Sequence, residues 1–181
     1  MIIFALIFLL VLIIALFWQG ALLWATLTGS PIVYANKNAV RDTLKLANIK
    51  KGELVVDLGC GNAQSLIMAT KEFGARGLGV DRSLYSYLKS KLNVFLSGQS
   101  KNIEIVLGDF QKIEKKLKSA DVIYLYLLNE TLVQIEPWFF DHIGDKTRVV
   151  SLAFWFPRHE PVAETETFNL GKITKARLYC K

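Results

Sequence analysis

The chain has 181 residues, with 22 Lys and Arg against 16 Asp and Glu, a formal net charge of +6, and only 2 Cys and 2 His. Two cysteines build no disulfide framework and suit a reducing compartment, and two histidines give little basis for a His-based metal site. The positive charge would admit nucleic acid, but no zinc-finger spacing and no aromatic-basic RNA motif accompanies it, so the expectation is a protein that binds neither nucleic acid nor metal.

The first thirty-six residues carry no charged side chain, and Ile2 to Leu27 is apolar almost throughout. At ~1.5 Å per helical residue this stretch reaches about 39 Å, more than the ~30 Å of hydrocarbon a helix must cross. It is expected to be a membrane anchor rather than a cleaved signal, which would want a basic n-region and a shorter apolar core. Trp18 and Trp24 fit either an interfacial belt or plain apolar positions. Lys37, Arg41, Lys45, Lys50 and Lys51 follow, against one early acid, Asp42. Positive-inside bias then places the rest of the chain in the cytoplasm or a matrix-like compartment, with the lipid bilayer as a partner. The expected organisation is an anchor at 1–28, a juxtamembrane segment at 29–50 with a helical stretch from Ala39 to Ala47, and one domain at 51–181, large enough for a core of its own.

Within that domain, apolar runs alternate with helical patterns. Glu53 to Leu58 reads as a buried strand, Gln64 to Phe73 as a helix and Arg76 to Val80 as the next strand, a βαβ unit. A helix from Leu84 to Phe95 and strands at Ile103 to Leu107 and Asp121 to Leu128 continue the alternation. A helix between Leu132 and Ile143 and a strand at Thr147 to Phe156 come next. The last two strands, Thr165 to Leu170 and Ile173 to Cys180, flank a Gly171-Lys172 turn. Seven strands, mostly parallel because crossovers join them, predict an α/β sheet with helices on both faces.

The loop after the first strand carries the chemistry. In Val55-Val56-Asp57-Leu58-Gly59-Cys60-Gly61-Asn62-Ala63 an acid ends the strand and two glycines open the following helix, allowing a ligand close to the backbone. A dinucleotide fingerprint would want Gly or Ala where Gln64 stands. The acid-first order, D-x-G-x-G, instead resembles motif I of the class I methyltransferases that use S-adenosylmethionine, with Ala63 in place of the usual third glycine. Twenty-four residues on, Asp81 ends the second strand, where a carboxylate can accept hydrogen bonds from both ribose hydroxyls. After the third strand, Gly108-Asp109-Phe110 resembles the loop that holds the adenine. Each acid alone would read as a helix cap or a solvated loop residue. Three in order at strand C-terminal ends match the edge where open α/β sheets bind ligands.

The resemblance implies a seven-stranded, Rossmann-like class I methyltransferase sheet behind one N-terminal transmembrane helix. It implies S-adenosylmethionine as cofactor, with Asp57, Gly59, Gly61, Asn62, Asp81, Asp109 and Phe110 around it. The stretch Ser30-Pro31-Ile32-Val33-Tyr34-Ala35, the helix after it and the N-terminal anchor resemble the membrane-anchored protein lysine methyltransferases of the family with sequence similarity 173. Tyr34 stands where that family would have a second proline, and Gly61-Asn62-Ala63 replaces a more usual Gly-Asp-Gly. The likeness implies a lysine on a membrane protein as acceptor. Tyr126-Leu127-Leu128-Asn129-Glu130 follows the fourth strand, where such domains meet their acceptor, and no N-P-P-Y-type nucleobase motif is present. Glu130 could take a proton from an ammonium and Asn129 could accept an amine hydrogen bond, or the two residues simply begin the next helix. A lipid, quinone or other apolar small molecule remains an alternative acceptor, and a non-catalytic methyltransferase-fold module is a further alternative, disfavoured by the intact Asp57, Gly59, Gly61 and Asp81.

Overall fold

The structure is a computed structural model that describes residues 2–28 and 33–181, without the side chains of 21, 22 and 24–28. The Ser30-Pro31-Ile32 part of the pre-domain stretch and the Trp24 side chain lie outside the described residues. The chain forms two compact units, Met1–Ile32 and Val33–Lys181. The first is described through α1, Ile2–Thr28, whose Ile2–Gly20 portion is long and apolar enough to cross a membrane, by length and composition.

The second unit holds a seven-stranded sheet of β1 (Leu54–Leu58), β2 (Arg76–Asp81), β3 (Ile103–Leu107), β4 (Val122–Leu125), β5 (Arg148–Leu152), β6 (Ala163–Asn169) and β7 (Lys172–Cys180), in the order β3-β2-β1-β4-β5-β7-β6. The first five strands are parallel; β7 pairs antiparallel with both β5 and β6. The chain winds outward from β1 to β3, then restarts on its other side at β4. The gap between β1 and β4 is therefore the topological switch point, where such sheets take their ligands.

Alternation along the strands sorts the core into two layers. Val55, Val122, Tyr124, Val150 and Leu152 face α2 (Lys37–Leu46), α3 (Gln64–Phe73) and α4 (Leu84–Leu96). Val56, Leu58, Ile123, Leu125 and Val149 face α6 (Asn129–His142) and the short Phe110–Leu117 segment, a 3₁₀ turn running into α5 (Glu114–Leu117). The helix α2 belongs to the domain core. Asn36 caps it by accepting from Asn38 N at 2.9 Å, and Ala39, Val40, Thr43 and Leu44 are buried. At its other end Arg148 donates to the carbonyls of Ala47 and Asn48 at 2.7 and 2.8 Å, satisfying oxygens that a helix terminus leaves open.

Every strand and helix expected from the periodicity is present; Gln64–Phe73 and Ile103–Leu107 keep their expected bounds, and the others are shifted. The fourth strand stops at Leu125 and the next helix already starts at Asn129, where the apolar run Tyr126-Leu127-Leu128 had suggested strand to 128 and helix from 132. The fifth strand ends at Leu152, because Ala153 turns into a positive φ of 68°.

Candidate functional site

The glycine loop is held by the end of β2. Gly59 N and Cys60 N both donate to Val80 O, at 2.8 and 3.1 Å, and Gly61 N donates to Asp81 Oδ2 at 2.9 Å. Gly59, Gly61 and Ala63 have φ of +79°, +54° and +60°. Glycine is at home in that region, whereas Ala63 adopts it against a cost of about 1–2 kcal/mol. A Cβ on Gly59 would lie 3.0 Å from Leu127 Cδ2, so the bare backbone is what leaves room at the head of the loop. Asn62 caps the turn, its Oδ1 accepting from Gln64 N at 3.2 Å, while its carbonyl accepts from Asn93 Nδ2 at 3.0 Å.

Asp57 is 4 % exposed and Ser65 Oγ donates to its Oδ2. Burial pushes its carboxyl up to about 7; the Ser65 bond opposes that shift and nearby Asp81 adds to it. Beside it on β4, register partner Tyr124 has a buried hydroxyl with no hydrogen-bond partner among the described residues, its pKa raised well above the usual range by burial and by Asp57. Asp81 accepts from Gly61 N through Oδ2 and from Ser83 N through Oδ1, at 2.9 Å each. Each of its oxygens keeps a lone pair for a ribose hydroxyl. Burial raises its pKa, with the two backbone bonds and Arg82 working the other way. Cys60 is buried against Gly79, and its thiol is raised well above the ordinary value, first by burial. Burial and a raised pKa keep it in the thiol form, which is not the nucleophilic one.

Asp109 lies at the third strand end, exposed, with Oδ1 accepting from Phe110 N at 2.7 Å and Oδ2 3.8 Å from Arg82. Phe110 is half-buried against the core layer under α6. Gly61 and Asp81 are thus joined directly, Gly59 is held on the backbone of Val80 next to Asp81, Asp57 and Asn62 are tied to Ser65 and Gln64 at the start of α3, and Asp109 pairs with Arg82, the residue after Asp81. Asn129 and Glu130 open α6; Asn129 Oδ1 accepts from Trp155 N at 3.3 Å, and Glu130 is exposed in the first helical turn.

Sequence reasoning passed over Tyr85, Lys89 and Asn169 at this edge, and the contacts that bring Tyr34, Ala35 and Tyr126 to it. The lead-in segment lies across it: Gln64 Nε2 donates to Ala35 O at 3.1 Å, and a Cβ on Gly61 would be 3.9 Å from the Tyr34 ring. Lys89 Nζ donates to Tyr34 O at the phenol and to Tyr85, at 3.1 and 3.3 Å. Toward β7, Asn169 accepts from Asn36 N at 2.8 Å and donates to Tyr126 Oη at 3.1 Å, while Tyr126 packs beside Phe154. Tyr85 and Lys89 at i,i+4 were a readable pair; Asn169, before a hairpin glycine, reads only as a turn residue. Among the described residues no group of His, Cys, Asp and Glu could hold a metal.

A loop of positive-φ backbone at a switch point, backed by a buried acid and flanked by a second acid at the next strand, fits a nucleoside-bearing ligand. Similar proteins agree. A protein-lysine N-methyltransferase of Saccharolobus islandicus (strain REY15A) is 27 % identical over 146 residues, 78 % of this chain and 88 % of its own. An RNA methyltransferase from Salinibacter ruber, solved in complex with S-adenosyl-L-homocysteine, superposes with a TM-score of 0.71 at 26 % identity, covering 78 % of this chain and 88 % of that one. M. capricolum TrmK, solved with the same cofactor product, shares the fold at a TM-score of 0.63 and 13 % identity, covering 78 % of this chain and 67 % of that one. Residues 57–163, which run from the motif I acid to the start of β6, match the family described as the ANTKMT methyltransferase domain; the chain belongs to that family and is an S-adenosylmethionine-dependent methyltransferase.

Proposed function

We propose that this enzyme methylates the ε-amine of a lysine on a membrane protein, from a position beside the bilayer fixed by α1. The observation that carries the lysine is the similarity to the S. islandicus protein-lysine N-methyltransferase across 78 % of the chain. The apolar Ile2–Gly20 helix and the uncharged run up to Asn36 support the membrane setting. Tethering raises the effective concentration of membrane-borne acceptors. The five cations from Lys37 to Lys51 favour a catalytic domain on the cytoplasmic or matrix-like side.

In this reading Asp81 takes the ribose hydroxyls, the Gly59–Asn62 backbone lies along the methionine part, Asp57 supports the loop from below, and Asp109 and Phe110 border the adenine. The acceptor approaches past Tyr126, Asn129 and Glu130. Its ammonium gives up one proton, to Glu130 or water; the free amine then attacks the methyl carbon as the carbon–sulfur bond breaks, leaving S-adenosylhomocysteine and a methylated ammonium. Positioning and a dry pocket supply most of the acceleration.

The test incubates detergent-solubilised full-length enzyme and methyl-labelled cofactor with membranes from a deletion strain, alongside total RNA and an organic lipid extract. Label on a membrane protein, mapped to lysine by mass spectrometry, is the expected result. Label in the organic phase would give the acceptor to a lipid or quinone. Label in RNA would instead align the chain with the named activity of the S. ruber relative.

A further inference from the structure

The helix α4 is amphipathic in the inverted sense. It turns Ser86, Ser90 and Val94 inward, while Leu84, Leu88, Leu92, Phe95 and Leu96 are exposed, the last two at 71 % each. At about 100° per residue the five apolar side chains occupy roughly 120° of the circumference. Lys91 borders the stripe on one side and Lys89 on the other, and α4 contains no acid. Leucine exposed in this pattern on a helix that buries serines calls for a covering surface.

We propose that the outer face of α4 lies in the headgroup region of an anionic bilayer, so that the domain is held against the membrane side-on rather than hanging from its tether; the inference rests on the anchoring proposed above. The stem of Lys91 can follow the leucines down while its ammonium stays with lipid phosphates, and Lys89 on the other border, bonded to Tyr34 and Tyr85, keeps a third N–H for a phosphate. Within the domain, Tyr34 stands beside this helix, its phenol bonded by Lys89. Twofold pairing of the same face between two copies would instead bring lysine borders together with no acid on either helix to answer them. Because α4 runs back along the strand it follows, its placement in the membrane plane turns the C-terminal edge of the sheet along the surface. The acceptor lysine is then one at headgroup level.

The experiment uses the full chain with Cys180→Ser, reconstituted in phosphatidylcholine vesicles with and without phosphatidylglycerol. An environment-sensitive fluorophore is placed on Leu92→Cys or Phe95→Cys, and on Asp141→Cys on the opposite face of the sheet as control. Flotation of the same vesicles reports anchoring. The expected result is blue-shifted emission at 92 and 95, quenched by brominated lipid and stronger with phosphatidylglycerol, with a wet, unquenched probe at 141. Probes at 92 and 95 as wet as 141 in floating vesicles would overturn the role of α4 while leaving the anchor in place. A blue shift without lipid quenching would give the face to a protein partner and overturn the proposal. A chain that does not float would remove the anchor and the inference together.

Discussion

Asp57 makes the stability of the domain depend on pH in a direction opposite to an ordinary paired carboxylate. Its folded-state value is about 7 against 3.8 for an unperturbed side chain, so between those values the folded chain holds a proton that the unfolded chain has released. Stability is therefore fully present below about 3.8 and is lost as pH rises toward 7. At 1.36 kcal/mol per unit the whole window is worth about 4 kcal/mol, of which about 3 kcal/mol falls between pH 5 and 8. Asp57→Asn removes the titration while keeping an acceptor for Ser65 Oγ, at the cost of an unpartnered amide N–H worth about 1–3 kcal/mol. The stability difference between variant and wild type should accordingly shift by about 3 kcal/mol in the variant's favour from pH 5 to pH 8. Urea unfolding of residues 33–181 without cofactor, at four pH values, measures it, and the subtraction cancels other titrating groups. The cofactor adds a second readout: its cationic methionine amine favours the ionised carboxylate, so wild-type affinity should rise with pH up to about 7 and the variant's should not. Parallel stability curves for the two proteins would refute the assignment of this buried proton.

Asp81→Ala should weaken S-adenosylmethionine binding by roughly 5- to 150-fold, the equivalent of about 1–3 kcal/mol for lost hydrogen bonds, and should also loosen Gly61 and Ser83, whose N–H groups it now satisfies. Calorimetry giving an unchanged affinity would take Asp81 out of the site. Gly59→Val combines a φ of +79° with a Cβ 3.0 Å from Leu127, so a folded variant should show no measurable cofactor binding. Normal binding there would count against the loop as the cofactor cradle. Glu130→Gln should lower kcat much more than it changes cofactor affinity, with the loss shrinking at high pH, where more of a lysine of pKa about 10.4 is already free amine. A proportionate loss at every pH would assign Glu130 to the helix terminus alone.

Much of this architecture was legible because burial writes a periodic signature. The β1 to β3 strands are short, mostly apolar runs with an acid at or just beyond the C-terminal end, and the glycine loop announces itself, since Gly59 and Gly61 occupy backbone regions that other residues avoid. The parts that were not legible depend on contacts between residues far apart in sequence. Nothing in Asn169 reveals that it joins Asn36 to Tyr126 across 133 and 43 positions. Gly79 looks like any strand glycine, yet a Cβ there would fall 2.7 Å from Cys60 Sγ, so its bareness is what lets the loop lie down on β2. The end of β4 was misplaced for a related reason. Tyr126, Leu127 and Leu128 are as apolar as strand residues, but they serve three separate surfaces: Tyr126 meets Asn169, Leu127 faces Gly59, and Leu128 O accepts from Leu132 N to start α6.

That division of labour has a chemical consequence. Because the chain leaves the sheet at Leu125 and not at Leu128, Leu127 stands directly against the glycine loop, and Tyr126 and Asn129 meet different partners: Asn169 at the hairpin and Trp155 after β5. In the proposed reading, the acceptor side of the edge draws on three loops that share no sequence motif, whereas the cofactor side draws on one loop and two strand ends that do. Cofactor chemistry is consequently readable from a short pattern, while the proposed acceptor approach depends on how the post-β4 turn, the post-β5 aromatics and the β6–β7 hairpin pack together. Changes in acceptor preference should be sought at Tyr126, Phe154, Trp155 and Asn169, where a substitution can reshape the approach without touching a residue that holds the methyl donor.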